Sequence, residues 1–367
     1  MRKVLFGITS LGLGGAERVL VDIVNKLGNK YDITIFTIYS NGEMEKQLSS
    51  NIKLKSLINK KYEDLSKIEK VLVPIKIMLN RKNIYNKKIK QDYDIEIAFL
   101  EGPVTRILAS ENKNTKKIAW VHNDITKVFG SGIKARIKKK TDKKIYGSYD
   151  KLVFVSNDNK EKFEEVYKLD NSKDVIYNYI DIDAVIEKSN QDLDIQFEKD
   201  ILNIVTVARL VNQKAIDRLI KVHSQLIENG MNHKIYVIGD GPEKANLEKL
   251  IQEKKVENSF VLLGKKENPY PYIKNADCFA LLSNFEGYPM VLLEAQILEK
   301  FIIITDTAAR ETLQNYDNCA IVGNNEQDIY NGLSNVIANK NSDETNANKY
   351  SNADIIENIE KIIKGEI

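Results

Sequence analysis

With 367 residues the chain is too long for one ordinary core, so two domains are the starting expectation. Its 43% hydrophobic and 29% charged content describes a soluble globular protein, and no apolar run approaches the roughly 18 residues that a spanning helix needs. The net charge of +3 conceals a basic half, with 35 Lys+Arg against 22 Asp+Glu in residues 1–180, joined to an acidic half with 20 against 30, so one domain is expected to face an anionic partner.

The chain begins "MRKVLFGITSLGLGG". It lacks a small-residue cleavage site and reads as a first strand running into a glycine turn. From there, short apolar runs alternate with helical patterns. "KVLFGITS", "YDITIFTIYS", "YDIEIAFLE", "KKIAWVHN", "DKLVFVSN" and "DVIYNY" read as strands in the first half. "ILNIVTVARL", "HKIYVIGDG", "NSFVLLG", "DCFALLSN", "KFIIITD" and "NCAIVG" read as strands in the second. Most are continuous rather than alternating, the mark of a parallel sheet buried on both faces. Helical patterns such as 15–28, 213–229 and 242–255 lie between them. The fold class is therefore α/β: two tandem doubly wound, Rossmann-like domains facing a central cleft, with ligands at the carboxyl ends of the strands. The polar, acidic stretch 179–200 marks the boundary. The expected division is 1–180, then 181–350, then a last helix within 351–367 that packs back on the first domain. Cys278 and Cys319 both sit in apolar runs, so free buried thiols are expected and the cytoplasm is the default compartment.

The candidate site residues fall at strand ends. Gly12, Gly14 and Gly15 lie between the first strand and its helix, as a bare tight turn or as a place where backbone amides approach a phosphate. A dinucleotide fingerprint needs glycine at position 17, where Glu17 stands, and the second strand ends without a ribose-binding acid, so a nicotinamide cofactor is disfavoured. His122 ends a strand and outranks His223, in mid-helix, and His233, at a strand start. Arg209 ends a strand, and Lys214 follows at a helix start, where the helix dipole disfavours a cation; an anion between them would resolve this. Asp240-Gly241-Pro242 reads as a turn and helix start. Gly264 ends a strand, as a plain turn or a place for a nucleobase to approach. In "NFEGYPMVLLEAQ" (284–296), Glu286 precedes a helix whose first turn suits Pro289, and Glu294 lies inside it among leucines. Glu286 is either an N-terminal cap or a ligand contact. Glu294 bonds either within the protein or to sugar hydroxyls.

Taken together, "GLGGAER" (12–18), "WVHND" (120–124), "VARLVNQK" (207–214), "VIGDGP" (237–242) and "NFEGYPMVLLEA" (284–295) resemble the retaining glycosyltransferases of family 4, the group 1 glycosyl transferases with the GT-B fold. The resemblance covers nearly the whole chain. It implies transfer of a hexose or N-acetylhexosamine from a nucleotide sugar, a UDP-sugar favoured, to a glycan acceptor, with Glu286, His122, Lys214 and Arg209 as the catalytic set. Gly14 and Gly15 would approach the donor's phosphate or sugar, and His122 the donor sugar. Arg209 and Lys214 would neutralise the departing diphosphate. Glu286, Gly287 and the amides of Tyr288, Met290 and Val291 would hold sugar and phosphate, with Gly264 beside the base and Glu294 on the ribose. No metal or other cofactor is implied, since two cations and a helix N-terminus carry the charge. The chain departs from the family pattern at Glu299 and Phe301, where glycine and proline are usual, and at Tyr179 in place of proline.

The first domain would hold the acceptor. Lys76, Arg81, Lys82, Lys87, Lys88 and Lys90 flank "VLVPIKIML", and "KARIKKKTDKK" (134–144) adds a second cluster. Basic residues beside apolar ones suit an anionic membrane surface and a lipid-linked acceptor of bacterial surface polysaccharide assembly, on the inner face of the plasma membrane. A solvated lysine-rich surface is the plainer account. No nucleic-acid motif is present. The second functional hypothesis is a non-catalytic GT-B-like subunit of a transferase complex.

Overall fold

The structure, a computed structural model, describes residues 1–89, 93–110, 112, 114–128, 133–339 and 350–367. Lys90, residues 340–349 and the side chains of Lys134 and Ala135 lie outside what is described. The chain forms two compact units, residues 1–180 with 352–367, and residues 181–351.

Unit 1 is built on β1 (Lys3–Ile8), β2 (Asp32–Tyr39), β3 (Lys53–Ile58), β4 (Ile95–Ala98), β5 (Lys116–Val121), β6 (Lys151–Phe154) and β7 (Ser172–Val175). They lie in the order 3-2-1-4-5-6-7, every pair parallel. Unit 2 repeats the pattern with β8 (Leu202–Val207), β9 (His233–Ile238), β10 (Phe260–Gly264), β11 (Cys278–Leu281), β12 (Phe301–Thr305) and β13 (Cys319–Val322), in the order 10-9-8-11-12-13 and again all parallel. Parallel neighbours need crossover connections, and the helices between the strands supply them. Strand order reverses direction beside β1 and beside β8, so the carboxyl ends of these strands are the switch points of the two sheets.

The central strands form because their apolar runs are continuous: Val4 to Ile8 and Ile302 to Ile304 are buried on both faces. β3 does not announce itself this way. It is an edge strand whose Lys53 and Lys55 alternate with Leu54, so its sequence reads as polar. β7 is also displaced from its sequence signal. The strand is Ser172–Val175; Ile176 adds one more bond, donating to the Phe154 carbonyl of β6 at 2.9 Å, and the apolar Tyr179 and Ile180 are buried farther along. The last helix, Ala353–Lys364, buries Ile359, Ile362 and Ile363 in unit 1. Arg2 donates to the carbonyl of Ile363 at 2.7 Å, and Lys30 pairs with Glu360 at 2.5 Å.

Each unit holds a buried polar network. In unit 1, Lys117 pairs with Glu96 at 2.9 Å, and Tyr85 donates to the other oxygen of Glu96 at 2.6 Å. In unit 2, His223, His233 and Ser259 form a chain whose protons can be assigned. His233 Nδ1 lies 2.8 Å from the carbonyl of Met231, which can only accept, so this nitrogen carries the proton. His233 Nε2 therefore accepts, His223 Nδ1 donates to it at 2.8 Å, and Ser259 donates to His223 Nε2 at 2.8 Å. Burial holds both imidazoles neutral, with the pKa of His223 lowered to about 3 and that of His233 also lowered. Their stabilising contribution is complete above the unfolded value near 6.5 and is lost as pH falls, because only the unfolded chain takes up the protons. The contribution of His223 should be constant above about pH 7 and fall by about 1.4 kcal/mol by pH 5.5, with His233 adding to the loss in the same direction, as read by thermal melts. An unchanged midpoint between these pH values would contradict the assignment.

Both cysteines are free. Cys278 is buried in β11, and burial raises its thiol pKa. Cys319 differs from expectation in being only half-buried, at the start of the edge strand β13, where its thiol donates to the Tyr316 carbonyl at 3.0 Å.

Candidate functional site

In unit 1 the end of β1 leads through Gly12 to Gly14, and Gly14 caps the helix Gly15–Leu27 in an extended conformation. A Cβ on Gly14 would stand 2.1 Å from Glu17 Oε2, so the carboxylate of Glu17 folds back against the helix start. Burial raises the pKa of Glu17, opposed by a hydrogen bond from its own amide. An anion approaching these glycines must displace this carboxylate or meet it protonated.

His122 leaves the end of β5 with its ring against Phe99, at 4.8 Å between centroids, and parallel to Trp120 at 6.5 Å. Its Nε2 is buried with no hydrogen-bond partner among the described residues. Burial lowers its pKa to about 3, against a hydrogen bond to the Phe99 backbone, so the ring is neutral at physiological pH. Its position is fixed by Glu101, which motif spacing does not single out. One oxygen of Glu101 accepts from the amides of His122 and Asn123, both at 2.7 Å, and the other accepts from the Asn123 side chain at 2.9 Å. Burial raises the pKa of Glu101, partly offset by these bonds. The local signal was an acid between a strand end and the Gly102-Pro103 helix start. Glu101, Thr105, Arg106, Asn123, Asp142 and Tyr146 line a cavity of about 240 Å³, in which Arg106 and Asp142 pair at 2.8 Å.

In unit 2 three loops converge. Arg209 follows β8 and is exposed, on a backbone segment crossed by the loop after β9. Ala208 and Leu210 donate to the carbonyls of Ile238 and Asp240, and Leu210 accepts from Glu243. This crossing requires glycine. A Cβ on Gly239 would stand 1.9 Å from the Ala208 carbonyl oxygen, and one on Gly241 would stand 2.3 Å from that of Leu210. "VIGDGP" is therefore a packing device that sets the path of residues 208–210. Gly264, at the end of β10, has a φ of 72° and open space where a Cβ would be.

Lys214 does not start a long helix, as its periodicity suggests. It ends a short 3₁₀ turn, Asn212–Lys214, and the helix begins at Ile216 after Ala215 takes a left-handed φ of 49°. This turn is tied to the loop after β11. Asn284 donates from its amide to Gln213 at 2.8 Å and from its side chain to Asn212 at 2.9 Å, while the Gln213 side chain donates to Phe285 at 3.0 Å. The result is a 2.5 Å ion pair between Lys214 and Glu286, whose side chains are only 17% and 7% exposed.

Gly287 and Tyr288 then lead half-buried to Pro289, which caps the helix Met290–Ile297. The Leu292 amide is already taken by the Pro289 carbonyl at 3.1 Å, which removes it from the amides expected to face phosphate. Glu294 is half-buried inside this helix and accepts from the Tyr270 hydroxyl at 3.2 Å. Its carboxylate thus has a protein donor as well as any a ligand offers. The structure brings together Lys214, Glu286 and the helix start, and places Arg209, Gly264 and Glu294 in the same unit. Gly14, Gly15 and His122 belong to unit 1. Among the described residues no three His, Cys, Asp or Glu side chains are grouped as a metal ion would need.

Residues 187–354 match the family model described as Glycosyl transferases group 1. The chain is 26% identical over its whole length, and over the whole of the relative, to the N-acetylgalactosamine-N,N'-diacetylbacillosaminyl-diphospho-undecaprenol 4-alpha-N-acetylgalactosaminyltransferase of Campylobacter jejuni. It is 32% identical over 208 residues to an uncharacterized glycosyltransferase of Methanocaldococcus jannaschii; the match takes in 55% of the chain and 51% of that protein, so the chain spans about half the length of that relative. Among solved structures it resembles Anabaena HepE in complex with UDP and glucose, with a TM-score of 0.74, 17% identity, and 99% and 100% of the two chains covered.

Proposed function

We propose that the chain, whose residues 187–354 match the group 1 glycosyltransferase model, is a glycosyltransferase of that group that moves a hexose or N-acetylhexosamine from a UDP-sugar, with retention, to a glycan acceptor carried on a lipid pyrophosphate in surface polysaccharide assembly. The observation that carries this reading is the Lys214–Glu286 pair at the start of the helix Met290–Ile297. A cation held beside a helix N-terminus is suited to the charge that develops on a departing diphosphate, and the carboxylate holding it can accept from a sugar hydroxyl. Arg209 adds a guanidinium able to grip phosphate through two parallel bonds. These groups stand in for a divalent cation. Glu294 takes the ribose hydroxyls and Gly264 makes room for the base.

The buried Nε2 of neutral His122, without a partner among the described residues, serves the transferred sugar, and Glu101 positions it. The mixed polar cavity beside Glu101 suits the hydroxyls of an acceptor sugar. No carboxylate is assigned as a nucleophile. The acceptor hydroxyl attacks from the face that the diphosphate leaves, and a leaving-group oxygen accepts its proton. The full-length Campylobacter relative, named for transfer to a diphospho-undecaprenol-linked glycan, supports the acceptor class.

A panel of UDP- and GDP-linked sugars, read by thermal stabilisation and by release of nucleoside diphosphate, tests the reading. One UDP-sugar should stabilise the chain and be slowly hydrolysed without added metal. Absence of both effects across the panel would overturn it in favour of a non-catalytic subunit.

A further inference from the structure

The helix Lys67–Ile84 in unit 1 carries its apolar side chains on the wrong side for a core. Ile68, Val71, Leu72, Ile75, Met78 and Leu79 are each between 45% and 73% exposed. Their spacing is that of a single helical face, and at 100° per residue they form a stripe roughly 120° wide. The opposite face does the packing: Ile77 is 3% exposed, and Val73 and Ile84 lean on the unit 1 core. The helix is therefore amphipathic twice over, with one apolar face spent on the protein and a second turned to solvent. A contiguous apolar stripe of this size marks an interaction surface.

The charges beside it say what it meets. The helix has Lys67, Lys70, Lys76, Arg81 and Lys82 against a single acid, Glu69, which is engaged by Lys60 and by the capping Ser66. On a helical wheel Lys67 and Lys76 fall on opposite edges of the stripe; the helix kinks at Asn80, and exposed Lys82 follows the kink. Exposed Lys87 and Lys88 follow just beyond. Two copies laid face to face would oppose these cations to one another. A bilayer surface bearing phosphate would pair them while its acyl region takes the apolar side chains. Long lysine stems can reach up to the headgroups from the sides of such a helix. The helix is also firmly held: the turn that continues it buries Tyr85 and Ile89, and Tyr85 bonds to Glu96 inside the sheet.

We propose that the face Ile68–Leu79 of this helix is a membrane-docking surface that lies in the interface of an anionic bilayer, with Lys67, Lys76 and Lys82 on the headgroup phosphates. This deepens the reading of a lipid-linked acceptor without depending on it, because docking is measured with no sugar present.

The full chain is sedimented with vesicles of phosphatidylcholine alone and mixed with phosphatidylglycerol. It should bind the mixed vesicles and release as salt rises. Replacing Lys76 and Lys82 by glutamate should weaken binding by at least about 25-fold, at roughly fivefold per cation. The combined change Ile75→Ser, Met78→Ser and Leu79→Ser should weaken it at least about tenfold while the melting temperature holds, since these side chains support no core. No binding at low salt, or binding untouched by the serine changes, would overturn the proposal. So would a dimer in solution that the serine changes dissolve, since the face would then belong to a second copy. Stabilisation by nucleotide sugar, measured on the same variants, should be unchanged and separates a failure of docking from a failure of the transferase reading.

Discussion

Lys214→Ala should reduce sugar transfer by about 100- to 1,000-fold, equivalent to about 2.7–4 kcal/mol of transition-state stabilisation, with the fold intact. The cation is held at 2.5 Å from Glu286 before any substrate arrives, so it needs no reorganisation when diphosphate charge develops. Glu286→Ala should fall in the same range for two reasons at once: it removes a sugar contact and frees the ammonium to wander. Glu286→Gln separates these, since it keeps the shape and loses the charge. The double variant should be little worse than the poorer single one, because the two residues act as a unit. Steady-state rates on the preferred nucleotide sugar, with melting temperatures beside them, check the set. An unaffected rate in both alanine variants would remove the pair from the mechanism.

The second large effect is on stability. Gly241→Ala should cost about 3 kcal/mol or more, because the new Cβ meets backbone rather than a side chain that can swing away. Its place would lie 2.3 Å from the Leu210 carbonyl oxygen and 2.8 Å from the Leu210 nitrogen. Gly264→Ala gives the contrast. There the Cβ has open space and only the φ of 72° is unfavourable, so about 1–2 kcal/mol is expected. Chemical denaturation of the two variants compares them directly. A Gly241 variant no worse than the Gly264 variant would mean that the crossing of residues 208–210 and 239–241 yields easily. Where the crossing yields, Arg209 should move with it, and transfer should weaken as well.

The α/β architecture was legible because buried parallel strands write themselves as unbroken apolar runs. Where burial is one-sided the writing fades. β3 hid behind Lys53 and Lys55, and β7 was read too far along because Tyr179 and Ile180 are buried without being strand. Helix boundaries failed at Ala215, since nothing in its side chain forecasts a left-handed backbone. At the site, the glycines and charges at strand ends were visible one by one. Their partnerships were not. Lys214 and Glu286 are 72 residues apart and meet only because β8 and β11 are neighbours in the sheet. Glu101 was missed for the same reason: its value lies in three bonds to residues 122 and 123, which follow β5 while Glu101 follows β4. Conversely, the motif glycines 239 and 241 were easy to see and easy to misjudge, since their role is clearance for another loop's backbone.

The composition of unit 1 from residues 1–180 and 352–367 has a bearing on how the chain is made. A ribosome delivers the first β-sheet early, but the helix that completes its packing is delivered only after all of unit 2 has emerged. Until then the carbonyl awaited by Arg2 and the carboxylate awaited by Lys30 do not exist. The nascent first sheet must therefore wait, incomplete, through the synthesis of some 170 residues, until the buried side chains of Ile359, Ile362 and Ile363 close it. Unit 2 is free to fold during that interval, so the order of synthesis makes the second unit in sequence the first that can be finished.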